Sequence, residues 1–233
     1  MKKRYKIIGF DADDTLWINE PYFHETEKKF VELMSPFGSP EFISKELYKT
    51  EMANLPGYGY GIKGFTLSMI ETAVRITDSN NTNNPYVSEI IGFGKALISK
   101  PVILLDGAVE ILKKLNECGC RLIVATKGDL KDQKRKLSKS GLARYFHHIE
   151  IMSDKRDKDY LKLLSHLEIS PEEFLMIGNS LRSDIIPVLD IGGYAIHIPF
   201  HTNWVHEKGE RPSNNGRFGE IAALSELENI LCI

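Results

Sequence analysis

The chain is expected to fold as an α/β protein: a Rossmann-like, doubly wound parallel sheet interrupted early by a helical module. Two observations predict the sheet. Short apolar runs alternate with helical patterns from Pro101 onward, the order that yields parallel strands with helices on both faces. Behind several of those runs stands a polar cluster rich in Asp, Thr, Lys and Gly, at the carboxyl end of a strand, where open α/β sheets bind ligands. A third observation predicts the module: from Pro21 to about Lys100 helical spacing recurs and no convincing strand occurs. The expected division is a core of residues 1–17 and 101–233 and a helical domain of residues 18–100.

Ile7-Ile8-Gly9-Phe10 is a short buried strand, a continuous apolar run too short for a helix. In the helical module Phe23, Thr26, Phe30 and Leu33 recur at helical spacing. Ser39-Pro40-Glu41 opens a second helix, with serine as N-cap and proline at the first position. Phe42, Ile43, Leu47 and Met52 are its expected apolar face. Leu55 to Gly61, with alternating glycines, is expected to be a loop, since such a run disfavours helix. Ile62, Phe65, Met69, Ile70 and Ala73 mark a third helix. A polar linker from Asn80 to Asn84 precedes a fourth, which opens at Pro85 and runs towards Ile98.

The chain re-enters the core at Pro101 to Leu105, and Asp106 is expected to cap a helix with Val109, Leu112 and Leu115 inward. Arg121 to Ala125 is the second strand, delivering Thr126-Lys127-Gly128-Asp129. On the helix expected from Asp129 to Ser140, the cluster Lys131, Lys134, Arg135, Lys136 and Lys139 is read as a solvated face in preference to an anion-binding one, because no aromatic residues interleave with it. His147 to Met152 is the third strand; adjacent histidines on a strand face opposite ways and make a poor metal pair. A charged loop with Lys155 and Lys158 leads to a helix built on Tyr160, Leu163, Leu164 and Leu167. Ser170-Pro171-Glu172-Glu173 has capping-box spacing. Phe174 to Ile177 is the fourth strand, followed by Gly178-Asn179-Ser180-Leu181-Arg182-Ser183-Asp184, and Tyr194 to Ile198 is the fifth. Glu207 to Gly219 is expected as a loop before a last helix near Leu224 to Leu231, with Trp204, His206 and Glu207 expected to pack at the surface in preference to edging the ligand-binding end of the sheet.

The net charge is −2, from 30 Lys and Arg against 32 Asp and Glu. Neither nucleic acid nor an anionic membrane is therefore an expected partner. No apolar run approaches the roughly 20 residues that cross a bilayer, and the apolar stretch behind Met1-Lys2-Lys3-Arg4 is too short for a secretory signal. Cys118, Cys120 and Cys232 form no disulfide framework or zinc pattern. The first two are expected to be buried thiols, and the expected location is cytoplasmic.

Asp11 and Asp13 alternate, so in extended chain their side chains leave on one side. Carboxylates held together need a cation or a shared proton, and Mg²⁺, which prefers oxygen ligands, supplies one. A solvated Asp turn at a strand end is the competing reading of this stretch taken alone. The other strand ends bear on the choice. In a parallel sheet, Asp11 to Thr15, Thr126 to Gly128, the charged loop and Gly178 to Asp184 all converge on one edge. They bring together carboxylates, a hydroxyl, backbone N–H groups and an ammonium, an inventory suited to phosphoryl transfer.

The set Asp11-x-Asp13-x-Thr15, Thr126-Lys127-Gly128, Lys155 and Gly178-Asn179-Ser180-x-x-x-Asp184 resembles, in order, the four motifs of the haloacid dehalogenase superfamily. The resemblance spans nearly the whole chain and implies that the helical insertion is a cap domain. It implies Asp11 as a nucleophile forming an aspartyl-phosphate and Asp13 as the general acid and then base. Thr126, the Lys127 N–H and Lys155 would hold phosphate, and Mg²⁺ would sit among Asp11, Asp184, the Asp13 carbonyl and Asn179. The fourth motif often begins Gly-Asp, so Asn179 brings an oxygen without the charge. The third lacks its usual proline, so Lys158 competes with Lys155, which its position relative to Tyr160 favours.

The superfamily also contains dehalogenases, phosphonatases and phosphomutases. An acidic Asp13 favours phosphatase, because an alkoxide needs a proton to leave and a halide does not. The expected substrate is a small phosphorylated metabolite, a sugar phosphate or nucleoside monophosphate; Tyr58 and Tyr60 are candidates for facing it, though local packing in a helix-helix connection is the preferred reading of both. The alternative is a non-catalytic phosphometabolite sensor.

Overall fold

The computed structural model describes residues 5–77, 85–202, 204–207, 209–213 and 216–231. In chain order the elements are β1 (Ile7–Phe10), α1 (Glu20–Met34), α2 (Pro40–Tyr58), α3 (Ile62–Ile76), α4 (Pro85–Ser99), α5 (Ala108–Glu117) and β2 (Arg121–Lys127). They continue with α6 (Leu130–Ser140), β3 (His148–Met152), α7 (Asp157–His166), β4 (Phe174–Gly178), α8 (Ile186–Asp190), β5 (Tyr194–His197), β6 (Phe218–Glu220) and α9 (Leu227–Leu231). The linker from Asn80 to Asn84, the Met1 to Arg4 segment and Cys232 lie outside the described residues.

The strands form one sheet in the order β3-β2-β1-β4-β5-β6, and every pairing is parallel. Strand alternation sends side chains to two cores. Ile8, Phe10, Leu122, Val124, Leu175 and Ile177 face Ile111, Leu112 and Leu115 of α5. Ile7, Ile123, Ala125, Phe174 and Met176 face Tyr160, Leu163 and Leu164 of α7. Helices on both faces explain why these strands are continuous apolar runs. β1 is central, and the strand order reverses beside it, so its carboxyl end opens at the switch point of the sheet, where such folds bind ligands.

Several local expectations are corrected. β6 falls inside the stretch read as a loop and pairs Phe218 with Ala195. Gly107, at φ 79, precedes α5 in place of an Asp106 cap. Cys118 is exposed and Cys120 half-buried, because the turn between α5 and β2 faces solvent.

The chain divides into two compact units, residues 1–20, 102–127 and 133–233 in one and residues 21–101 with 128–132 in the other. Residues 18–20 join the first unit because Ile18 N–H donates to Ile103 O, and Asp14 accepts from the Asn19 and Glu20 N–H groups. The helical unit has its own core of Phe30, Met34, Ile43, Leu47, Ile62, Phe65, Met69, Ala73, Ile90 and Leu97. Ser39 Oγ accepts from Phe42 N–H at the start of α2, but the Phe42 ring is exposed and lies off the apolar face. α2 runs on through Pro56 to Tyr58, closed by Gly59 N–H on Leu55 O, so the loop is shorter than the glycines predicted.

Candidate active site

The Asp11 loop is a tight turn at the end of β1. Asp11 N–H donates to Ile177 O at 2.8 Å, and Leu16 N–H donates to Ala12 O at 2.8 Å. Asp14 occupies the left-handed region at φ 61, which Asp tolerates better than most residues. Its buried carboxylate accepts from Asn19 and Glu20 N–H, each at 2.8 Å. Burial pushes its pKa up to about 7 against those bonds. Asp14 is thus a structural tie, which leaves Asp11 and Asp13 to face outward from the strand end.

Lys155 lies in the loop between β3 and α7. Its Nζ sits 2.5 Å from Asp11 Oδ1 and 2.6 Å from Asp184 Oδ1, and all three residues are buried. Lys158 is exposed on α7, so it is Lys155 that the third strand end delivers. The remaining oxygens are also engaged. Asp11 Oδ2 accepts from Thr15 Oγ1 at 3.1 Å, which also reaches Asn179 Oδ1 at 3.3 Å. Asp184 Oδ2 accepts from Ser180 N–H at 3.0 Å. Asp184 stands on one turn of π-helix, Leu181–Ile185, and its carboxyl packs so closely on Gly178 that a Cβ there would collide with it.

Two buried carboxylates share one ammonium, so the cluster is one positive charge short. Burial raises the Asp11 pKa to about 7; Lys155 opposes this and the Asp184 charge adds to it. Burial lowers the Lys155 pKa, but Asp11 and Asp184 outweigh it and hold the ammonium well above its ordinary value. Among the described residues no group of three or more His, Cys, Asp and Glu side chains converges on one point. A pair of hard carboxylates with a missing positive charge suits Mg²⁺, which takes one or two carboxylates and keeps water or phosphate oxygens for the rest.

Asp13 faces different partners. Its Oδ1 accepts from Trp17 Nε1 at 2.6 Å and its Oδ2 from Gln133 Nε2 at 2.8 Å, while Lys136 Nζ lies 2.6 Å from both oxygens. Lys136 is 6% exposed, which corrects its reading as part of a solvated face. Lys131, Lys134 and Lys139 are exposed. The sequence held a signal: Gln133, Lys136 and Leu137 are all buried and share the i, i+3, i+4 stripe of α6.

At the end of β2, Thr126 is buried and Lys127 is directed elsewhere. Lys127 Nζ donates to Ser183 Oγ at 2.8 Å and pairs with the Glu207 carboxylate. Glu207 was expected to pack at the surface; instead its carboxylate joins the second and fourth polar clusters. Its partners lie 24 to 80 residues away in sequence, so no local pattern announced it.

This edge belongs to a known class of hydrolase. The haloacid dehalogenase-like hydrolase family model matches residues 5–192, and the chain is a member of that family. Glyceraldehyde 3-phosphate phosphatase of Pyrococcus furiosus is 26% identical over 204 residues, 82% of this chain and 79% of that protein. N-acylneuraminate-9-phosphatase of Mus musculus is 26% identical over 235 residues, 97% of this chain and 92% of that one. The crystal structure of a haloacid dehalogenase-like family hydrolase from Xanthomonas campestris matches with a TM-score of 0.87 and 34% identity, covering 99% of this chain and 92% of that one.

Proposed function

We propose that the chain hydrolyses small phosphate monoesters through an aspartyl-phosphate formed on Asp11. The carrying observation is the Lys155 bridge between Asp11 and Asp184 at the switch point of the sheet, with Asp13 held separately two residues on. The chain is a phosphoric monoester hydrolase, the activity named for both the Pyrococcus and the mouse relatives. Those names specify phosphorylated carbohydrates, which supports the sugar-phosphate side of the expected substrate range.

In this reading an Asp11 oxygen attacks phosphorus and the bond to the leaving oxygen breaks. Asp13 delivers the proton that oxygen needs. Asp13 then takes a proton from water, which attacks the phosphoryl group and frees Asp11 and inorganic phosphate. Lys155 keeps the nucleophile and phosphate from repelling each other, and Thr126 and the Lys127 N–H hold phosphate oxygens. Asp11, Asp184 and the Asp13 carbonyl would hold Mg²⁺; Asn179, engaged by Thr15, would support that set from beside it. When bound, the ion would withdraw charge from the phosphate oxygens. Residues 18–100, inserted between the first two motifs, are proposed as the cap that selects the leaving group. No helix among the described residues is long and apolar enough to cross a membrane, and the cytoplasm is the proposed location.

The test is Mg²⁺-dependent phosphate release from p-nitrophenyl phosphate and a panel of sugar phosphates and nucleoside monophosphates. Asp11→Asn should abolish it, by on the order of 10³-fold or more. Full turnover by that variant would remove Asp11 as nucleophile. Saturable binding without hydrolysis by the wild type would favour a sensor.

A further inference from the structure

After β5 the chain crosses back along the carboxyl edge of the sheet. Ile198 N–H donates to Gly178 O at 3.0 Å, and Arg182 Nη1 donates to His206 O at 3.2 Å. Gly209 lies so near Leu181, Arg182 and Ile186 that a Cβ on it would stand 3.0 to 3.3 Å from them. This packing seats Glu207 against the fourth-motif turn. Its Oε2 accepts from Ser180 Oγ at 2.5 Å and from Ser183 Oγ at 2.6 Å, and its Oε1 pairs with Lys127 Nζ. Only 14% of its side chain is exposed. Burial raises the pKa of such a carboxyl, but the Lys127 ammonium and the two hydroxyls outweigh burial and hold it at about 2.

Two routes lead from Glu207 to the reacting groups. The first is Lys127, whose backbone adjoins Thr126 in the second motif. The second is Ser180. Its Oγ caps the Ser183 N–H at 3.0 Å, and its own N–H fixes Asp184 Oδ2 at 3.0 Å, which leaves Asp184 Oδ1 facing Lys155.

We propose that Glu207 is a positioning residue of the phosphate and metal site: its carboxylate locks Lys127 and the Ser180–Ser183 turn together, so that Asp184 presents one oxygen inward. The inference rests on the phosphatase reading, since the orientation of Asp184 matters to catalysis only where Asp184 serves a cation. Groups that orient ligands from behind typically change metal affinity or activity by about 10- to 100-fold when removed.

The experiment uses the full chain as wild type, Glu207→Ala and Glu207→Gln. Titration calorimetry with Mg²⁺ alone gives the dissociation constant. Steady-state turnover of p-nitrophenyl phosphate gives kcat and KM, and a melting curve gives the folded fraction. Glu207→Ala should weaken Mg²⁺ binding and lower kcat by about tenfold or more each per folded molecule, with KM moved less. Glu207→Gln, which keeps an acceptor for the hydroxyls and drops the ion pair, should fall between. If Glu207→Ala does not fold, Glu207→Gln decides on the same readouts. A lowered melting temperature with wild-type Mg²⁺ affinity and kcat would overturn the proposal and leave Glu207 a stabilising residue. A wild type that itself shows no Mg²⁺-dependent turnover overturns the phosphatase reading, and the inference with it.

Discussion

Two positions separate Asp11 from Asp13, and the sheet edge treats them differently. Asp11 is 6% exposed and shares the single Lys155 ammonium with Asp184. Asp13 takes the Lys136 ammonium on both its oxygens, with two further donors in Trp17 and Gln133, while Lys136 also donates to Asn19 Oδ1. The first cluster is short of positive charge and the second is fully supplied. A cation belongs where the charge is missing, so the nucleophile and the metal are expected on the Asp11 side. These donors fix the orientation of Asp13, the residue proposed to handle the proton.

The largest expected effect that separates the two falls on Asp13. Asp13→Ala should lower kcat on alkyl phosphomonoesters by about 10²- to 10⁴-fold. It should cost far less on p-nitrophenyl phosphate, whose leaving group departs without a proton. Equal losses on both substrates would merge the roles that the geometry keeps apart.

A smaller effect is expected from Lys136→Met, which leaves Asp13 with neutral donors alone. Misorientation of an acid/base group should lower kcat by about ten- to a hundredfold with KM nearly unchanged. Unaltered kcat would show that the ion pair serves only stability.

The smallest effect is one of pH. Burial, reinforced by Asp184 and opposed by Lys155, raises Asp11 from 3.8 to about 7. A raised folded pKa gives stability that is fully present below the unfolded value and lost as pH rises towards 7. The cation-free protein should therefore lose this contribution between about pH 4 and pH 7. Mg²⁺ needs the ionised carboxylate, so it should raise the melting temperature more at pH 8 than at pH 5.5, by a few degrees, about 2–4 °C per kcal/mol for a chain of this size. An equal gain at both values, measured by differential scanning fluorimetry, would separate Asp11 ionisation from metal binding.

The sheet was legible because its strands are covered on both faces, and such strands appear in sequence as unbroken apolar runs. The motif order was legible because each cluster follows its strand directly. β6 escaped because a three-residue strand with a central glycine carries no period. Lys136 escaped because charge on an amphipathic helix is ordinarily solvated, and only its place beside Leu137 on the buried stripe marked it otherwise. Glu207 and Asp14 take their roles from partners that tertiary packing or a left-handed turn brings to them. Composition around either residue is silent about that.

Gly178 carries a consequence for how the protein tolerates change. The Asp184 carboxyl rests where any side chain at 178 would have to begin, and that carboxyl is also held by Ser180 and Lys155. A methyl group added there changes no charge and removes no donor, yet it displaces the acid that the fourth strand was built to deliver. Position 178 is therefore constrained by space alone: an added methyl must move the Asp184 side chain or the backbone beneath it.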